Sequence, residues 1–230
     1  MEWIDVPAKG LTLRDIRRIT RRDQAESEDI RKAVEEILAN VEQDGDAAVR
    51  MYTEKFDGVA IENFLVTPEE IDRAVAAVGP DFMSILEEGA ANIRAYHERQ
   101  VEKTWFDTFR PGVCLGAKFT PIQRVGVYVP GGTAAYPSTV LMDTIPAHVA
   151  GVPSIAVFTP PAKDGSVNPY ILAAAHVAGA TEIYKVGGAQ GIAAAAYGTE
   201  SIAPVFKIVG PGNAYVPWRN GWSSVRSVST

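Results

Sequence analysis

From Arg124 onward the chain alternates between short strand-like runs and longer helix-like ones, and this alternation restricts the fold more than any other feature. VGVYV, SIAVFT, EIYKVG and FKIVG are short runs rich in β-branched and aromatic residues. Between them lie YPSTVLMDTIPAHVAG, NPYILAAAHVAGA and AQGIAAAAYG, which read as helices. Strand and helix in strict alternation predict a parallel sheet with right-handed crossovers, its helices packed against the sheet faces.

Before Arg124 the chain is charged and helical in pattern. In EDIRKAVEEILANVEQDGD, residues Ile30, Val34, Ile37, Leu38 and Val41 recur at helical spacing, with Gly45 as a stop. TPEEI is a start signal: Thr67 can cap the backbone, Pro68 suits the first turn and Glu70 completes a capping box. That helix should stop at Gly79 and Pro80. The next, DFMSILEEGAANIRAYHERQVEK, is expected to bury Phe82, Ile85, Leu86, Ile93 and Tyr96. The fold class expected is therefore α/β: a helical N-terminal region over 1–118, then a Rossmann-like parallel sheet with flanking helices over 119–216. Residues 217–230 stand apart.

In such sheets ligands gather at the carboxyl ends of the strands, where loops and helix N-termini converge. Three glycine-rich turns follow three of the four strands: Pro130 to Gly132, Gly187 to Gln190 and Gly210 to Asn213. PGG either cradles a phosphate through backbone N–H groups or is a plain tight turn, and it does not match G-x-G-x-x-G. In GGAQ, Gln190 either caps its alanine-rich helix or bonds a nucleotide. GPGN is a rigid turn in which Asn213 can tolerate a left-handed conformation. Three such turns on one rim favour a nucleotide-type ligand.

The remaining composition narrows the function by exclusion. With 47% apolar and 22% charged residues, the 230-residue chain reads as globular. A net charge of −6 without a long basic run argues against nucleic acid as a partner. No apolar run is long enough to cross a bilayer, and MEWIDVPAKG lacks the regions of a signal peptide, so the expected location is cytoplasmic. A single cysteine, Cys114, excludes an internal disulfide or a multi-cysteine zinc site. It has no base near it in sequence and is read as a small packed residue rather than a nucleophile. His97, His148 and His176 fall in no metal-ligand spacing and are given surface or capping roles. The acidic pairs at 35–36, 69–70 and 87–88 are read as solvated.

The longer stretches carry a more specific signal. RVGVYVPGGTAAYPSTVLMDTIPAHVAGV, FTPP, VGGAQGIAAAAYGTESI and KIVGPGNAYV, preceded by GDAAVRMYTEKFDG and NIRAYHERQ, together resemble the histidinol dehydrogenase family over residues 30–216. The resemblance implies a zinc-dependent, NAD-linked homodimer that oxidises L-histidinol through histidinaldehyde to L-histidine. It also implies that Tyr128, Gln190 and Asn213 contact NAD, and it leaves Cys114 without a catalytic role. Members of that family are nearly twice as long; their zinc ligands and Glu-His base would follow GPGNAYV and do not occur here. The 230-residue chain is therefore expected to be inactive, and loss of a downstream half is expected to expose apolar stripes on the N-terminal helices. Two other readings are a non-catalytic nucleotide-binding fragment and a relative that oxidises another amino- or sulfo-alcohol.

The final stretch, PWRNGWSSVRSVST, holds two of the four tryptophans and no acid. Shifting its codons by one base from Val216 permits Thr-Met-Ala-Lys-Arg-Leu-Val-Phe-Gly-Gln-Val-Gly-Ile-Asp, similar to the family's continuation. The expectation is a single-nucleotide frameshift after Val216.

Overall fold

The computed structural model describes residues 24–131 and 136–211. In chain order the elements are α1 (Gln24–Asp44), α2 (Asp46–Asp57), α3 (Pro68–His97), β1 (Trp105–Arg110), β2 (Val113–Ala117), β3 (Arg124–Tyr128), α4 (Pro137–Val149), β4 (Ser154–Thr159), α5 (Pro169–Ala178), β5 (Glu182–Lys185), α6 (Gly188–Tyr197) and β6 (Lys207–Val209). The four strands expected from sequence form one sheet in the order β5-β4-β3-β6, parallel throughout.

Each strand feeds two cores because its side chains alternate between faces. Val125, Val127, Val129, Ile155, Val157 and Ile183 enter the cluster with α3, α4 and α5, whereas Tyr128, Ala156, Phe158 and Tyr184 enter the one with α1, α2 and α6. Val127, Ile155 and Val157 are fully buried, as expected of a parallel sheet covered on both faces. Burial of each such side chain contributes about 1.5–3 kcal/mol.

At the amino ends of the strands, Arg124 of β3 reaches across β4 to β5. Its guanidinium donates to Glu182 Oε1 and Oε2, both at 2.7 Å, and to Ser154 Oγ at 2.5 Å. These are the first residues of three adjacent strands, so one planar fork ties their starts together. The Arg124 hydrogen bonds hold the Glu182 carboxyl below its ordinary value against the opposing effect of burial. At the β5 edge, residues 64–66 add an antiparallel flank: Val66 N–H donates to Ile183 O at 2.8 Å and Lys185 N–H to Phe64 O at 2.7 Å.

The helical start signals behave as their chemistry dictates. Thr67 Oγ1 accepts from Glu70 N–H at 3.3 Å, and Glu70 Oε2 accepts from Thr67 N–H at 2.8 Å. Gly79, at φ 77 and ψ 164, breaks α3 just before Pro80. Gly45, at φ 53, likewise separates α1 from α2. Val34, Ile37 and Val41 of α1 are buried, so that helix does not show the exposed stripe expected from loss of a downstream half.

Several expectations need correction. Residues 105–117, read as part of the helical region, form an antiparallel hairpin. Every residue of β1 is exposed, so neither face is held by a core, and Trp105, Phe106, Phe109 and Leu115 lie open. Cys114 sits on this hairpin and is exposed rather than packed. On α3, Leu86 is buried but Ile85 and Tyr96 are each 64% exposed, because they point away from α4 and α5. Glu70 is not merely solvated: its Oε1 accepts from Lys185 Nζ at 2.7 Å, joining the start of α3 to the end of β5. Burial alone would raise its carboxyl, but the Lys185 and Thr67 bonds bring it below the ordinary value.

Among the described residues, no helix is long and apolar enough to cross a membrane.

Candidate functional site

The sheet order itself selects the place. From β3 the chain steps outward to β4 and β5, then returns to the other side of β3 for β6. The carboxyl ends of β3 and β6 therefore flank the topological switch point, where open α/β sheets leave a crevice. Pro130–Gly131 leaves β3 there, and Gly210 leaves β6.

Close backbone approach requires the glycines of this rim. Gly210 has φ 129, and a Cβ there would collide with the Tyr128 carbonyl oxygen. Pro160, from the loop after β4, wedges between the turns after β3 and β5: a Cβ on Gly131 or on Gly187 would run into its ring. Three loops thus meet around one proline.

Beside this junction is a cavity of about 820 Å3, lined in part by Phe56, Asp57, Tyr128, Gly131, Lys163 and Gly188. Its volume lies within the range of small-molecule and cofactor sites. Tyr128 is 6% exposed, and its phenolic oxygen accepts a hydrogen bond from Gly188 N–H at 3.2 Å. Burial, reinforced by the neighbouring Asp57 carboxylate, holds the Tyr128 phenol above its ordinary value, so it stays protonated. Because its oxygen already accepts from Gly188, the O–H is available to donate elsewhere.

Gln190 occupies the first turn of α6, whose N-cap Gly187 offers no side-chain cap. Its side chain is fully buried, and neither Oε1 nor Nε2 finds a partner among the described residues. A Cβ placed on Gly188 would lie 2.5 Å from Gln190 Oε1, so the amide lies directly against that glycine. Leaving a buried amide unpaired costs about 1–3 kcal/mol for each orphaned group. Gln190 does not itself line the cavity; Gly188, against which its amide lies, does. Such an amide, at an uncapped helix N-terminus, fits a ligand that offers both a donor and an acceptor.

The structure thus brings Tyr128 and the Gln190 turn together. Asn213 and the stretch 217–230 lie outside the described residues, as does Gly132. Sequence reasoning missed Asp57, at the C-terminus of α2. The available signal was the acid in KFDG: a carboxylate at the negative end of a helix opposes the helix dipole. Burial pushes the Asp57 carboxyl up to about 6.

The histidines stay outside the site. His148 and His176 are exposed, and His97 Nδ1 pairs with Gln100 Oε1 at 2.7 Å. Among the described residues, no group of three or more His, Cys, Asp or Glu could hold a metal ion, so zinc does not fit them. A second cavity, of about 700 Å3, is lined by Val101, Phe119, Ile122 and Met142 among others and shares no residue with the first.

The family profile of histidinol dehydrogenase matches residues 20–218. A histidinol dehydrogenase of Geobacillus kaustophilus is 55% identical over 198 residues, covering 86% of this chain and 47% of its own length. One from Methanosarcina barkeri is 53% identical over 190 residues, covering 82% of this chain and 44% of its own. A crystal structure of histidinol dehydrogenase from Elizabethkingia anophelis superposes with a TM-score of 0.83 at 35% identity, over 94% of this chain and 50% of that one. The chain spans about half the length of these relatives, and it belongs to the histidinol dehydrogenase family.

Proposed function

We propose that this chain forms the NAD-binding half of a histidinol dehydrogenase, with the dinucleotide lying across the carboxyl end of the sheet. The observation that carries this reading is Gln190: a fully buried amide without a partner among the described residues, set against the glycine turn that lines the rim cavity. Tyr128, Gln190 and Asn213 are the residues assigned to hold NAD. NAD, when bound, would accept hydride from an alcohol and then from an aldehyde.

The chain's own residues bind and orient. Tyr128 donates its phenolic O–H to the dinucleotide while Gly188 N–H fixes the phenol from the other side. The Gln190 amide pairs with a group that both donates and accepts, which a nicotinamide carboxamide does. Lys163 supplies a cation at the cavity wall, suited to the diphosphate. In this reading residues 119–216 form the cofactor domain, and 1–118 pack α1 to α3 against it.

L-Histidinol as substrate, zinc, the homodimer and a cytoplasmic location belong to the same proposal by family. The 230-residue chain alone is proposed to bind NAD without oxidising histidinol, because the zinc ligands and Glu-His base implied by the resemblance do not occur in it. The test is absorbance at the NADH band after mixing purified chain, zinc, NAD and histidinol. The expected result is no NADH, and steady NADH production would refute it.

A further inference from the structure

Resting on the cofactor reading above, we propose that Asp57 is a further cofactor-binding residue, whose carboxylate accepts hydrogen bonds from a ribose diol of the dinucleotide. Three separate features of Asp57 are unfavourable for the fold alone. It ends α2, where the helix dipole repels a negative charge. Its Oδ2 is buried without a hydrogen-bond partner among the described residues. No cation is among the causes that act on its carboxyl; burial alone shifts it. A half-buried carboxylate kept at a helix C-terminus with one oxygen unpartnered is the sort of local rule-breaking that marks a functional position.

Its position gives the reason. Asp57 lines the same cavity as Tyr128, Gly131 and Gly188, although it arrives from the opposite side of the chain's order, on α2 rather than on the sheet. Its charge is felt at the Tyr128 phenol. Gly58 follows it in a left-handed turn, φ 74, which stops α2 so that the acid stays at the cavity wall.

The chemistry of the acceptor narrows the partner. An ionised carboxylate only accepts, so it suits a group whose neighbouring polar atoms can all donate. A vicinal ribose diol offers two O–H donors. A carboxamide or an adenine edge carries an acceptor beside each donor, which a carboxylate leaves unmet and an amide such as Gln190 can meet. A phosphate would be repelled outright, which places the diphosphate away from Asp57.

The sign of the effect provides the test. NAD carries a negative diphosphate, so electrostatics alone predicts that neutralising Asp57 tightens binding. Hydrogen-bond acceptance predicts the reverse. Titrating NAD against the wild-type chain and the Asp57→Ala and Asp57→Asn variants, with inorganic pyrophosphate as a diol-free probe, separates the two. The expected result is a roughly tenfold weaker affinity for NAD in Asp57→Ala, a smaller loss in Asp57→Asn, and no loss for pyrophosphate. Both variants should melt no lower than wild type, because a half-buried charge with an unpartnered oxygen has been removed; a merely structural residue would lower the melting temperature and leave affinity alone. Unchanged or tighter NAD binding in both variants overturns the proposal for Asp57 while leaving the cofactor reading intact. Absence of NAD binding to the wild-type chain overturns both.

Discussion

The phenolic oxygen of Tyr128, at the end of β3, accepts a hydrogen bond from Gly188 N–H, at the start of α6, and so joins the first glycine turn of the rim to the second. One side chain thereby satisfies a helix N-terminal donor and seals the sheet's carboxyl edge. Tyr128→Phe removes that acceptor and leaves Gly188 N–H unpaired. The expected loss is about 1–2 kcal/mol, or a fall of a few degrees in Tm, measured by thermal unfolding. An unchanged Tm would show that the bond does not hold the rim.

Gly210 should be far less tolerant. Its φ of 129 and the adjacent Tyr128 carbonyl leave no room for a Cβ, so Gly210→Ala must displace backbone at the switch point. The expected outcome is destabilisation by about 2 kcal/mol or more in denaturant unfolding. A Gly79→Ala control, at φ 77, meets open space and should suffer only the conformational penalty.

The Glu70 carboxylate performs two tasks, capping α3 and pairing with Lys185. Glu70→Ala is expected to cost about 1–2 kcal/mol, Lys185→Met less, and a double-mutant cycle should return a coupling of about 0.5–1 kcal/mol for this half-buried pair. Additive losses would mean that the ion pair is stabilising neither element.

Two carboxylates should give the stability profile opposite slopes. The folded-state pKa of Glu182 is depressed by Arg124, so its contribution is present above its unfolded value of 4.5 and is lost as pH falls through the lower folded value. Asp57 is raised to about 6 from 3.8, so its folded form holds the extra proton between those values. Stability from that group therefore declines as pH rises from about 4 to about 6 and is level above. Urea unfolding across this range should show the decline in wild type and not in Asp57→Asn, while Arg124→Met should shrink the acid-side fall due to Glu182, to which Tyr184 still donates.

The parts of this fold that are readable from sequence are those whose burial is symmetrical. Val125, Val127, Ile155 and Val157 sit in strands covered on both faces, so their runs are continuously apolar and distinct from the helical spacing of Val34, Ile37 and Val41. Thr67 and Glu70 are readable because capping is local chemistry. The hairpin over 105–117 is not, since its strands bury neither face and their aromatic residues carry no alternation tied to a core. The site divides in the same way. Glycine turns after strands mark the rim, and Gln190 stands out as the polar residue of an alanine-rich helix. Asp57 enters the cavity through a tertiary meeting between the end of α2 and the end of β3, which no spacing in the sequence encodes.

The rim is proposed to be a dinucleotide site served by the buried Gln190 amide. Its most direct test is calorimetric titration of NAD into the wild-type chain and into Gln190→Ala. Saturable binding by the wild type and about tenfold or greater weakening in the variant are expected, as the carboxamide loses its paired donor and acceptor. Equal affinity in the two proteins, or no binding to the wild type, would contradict it.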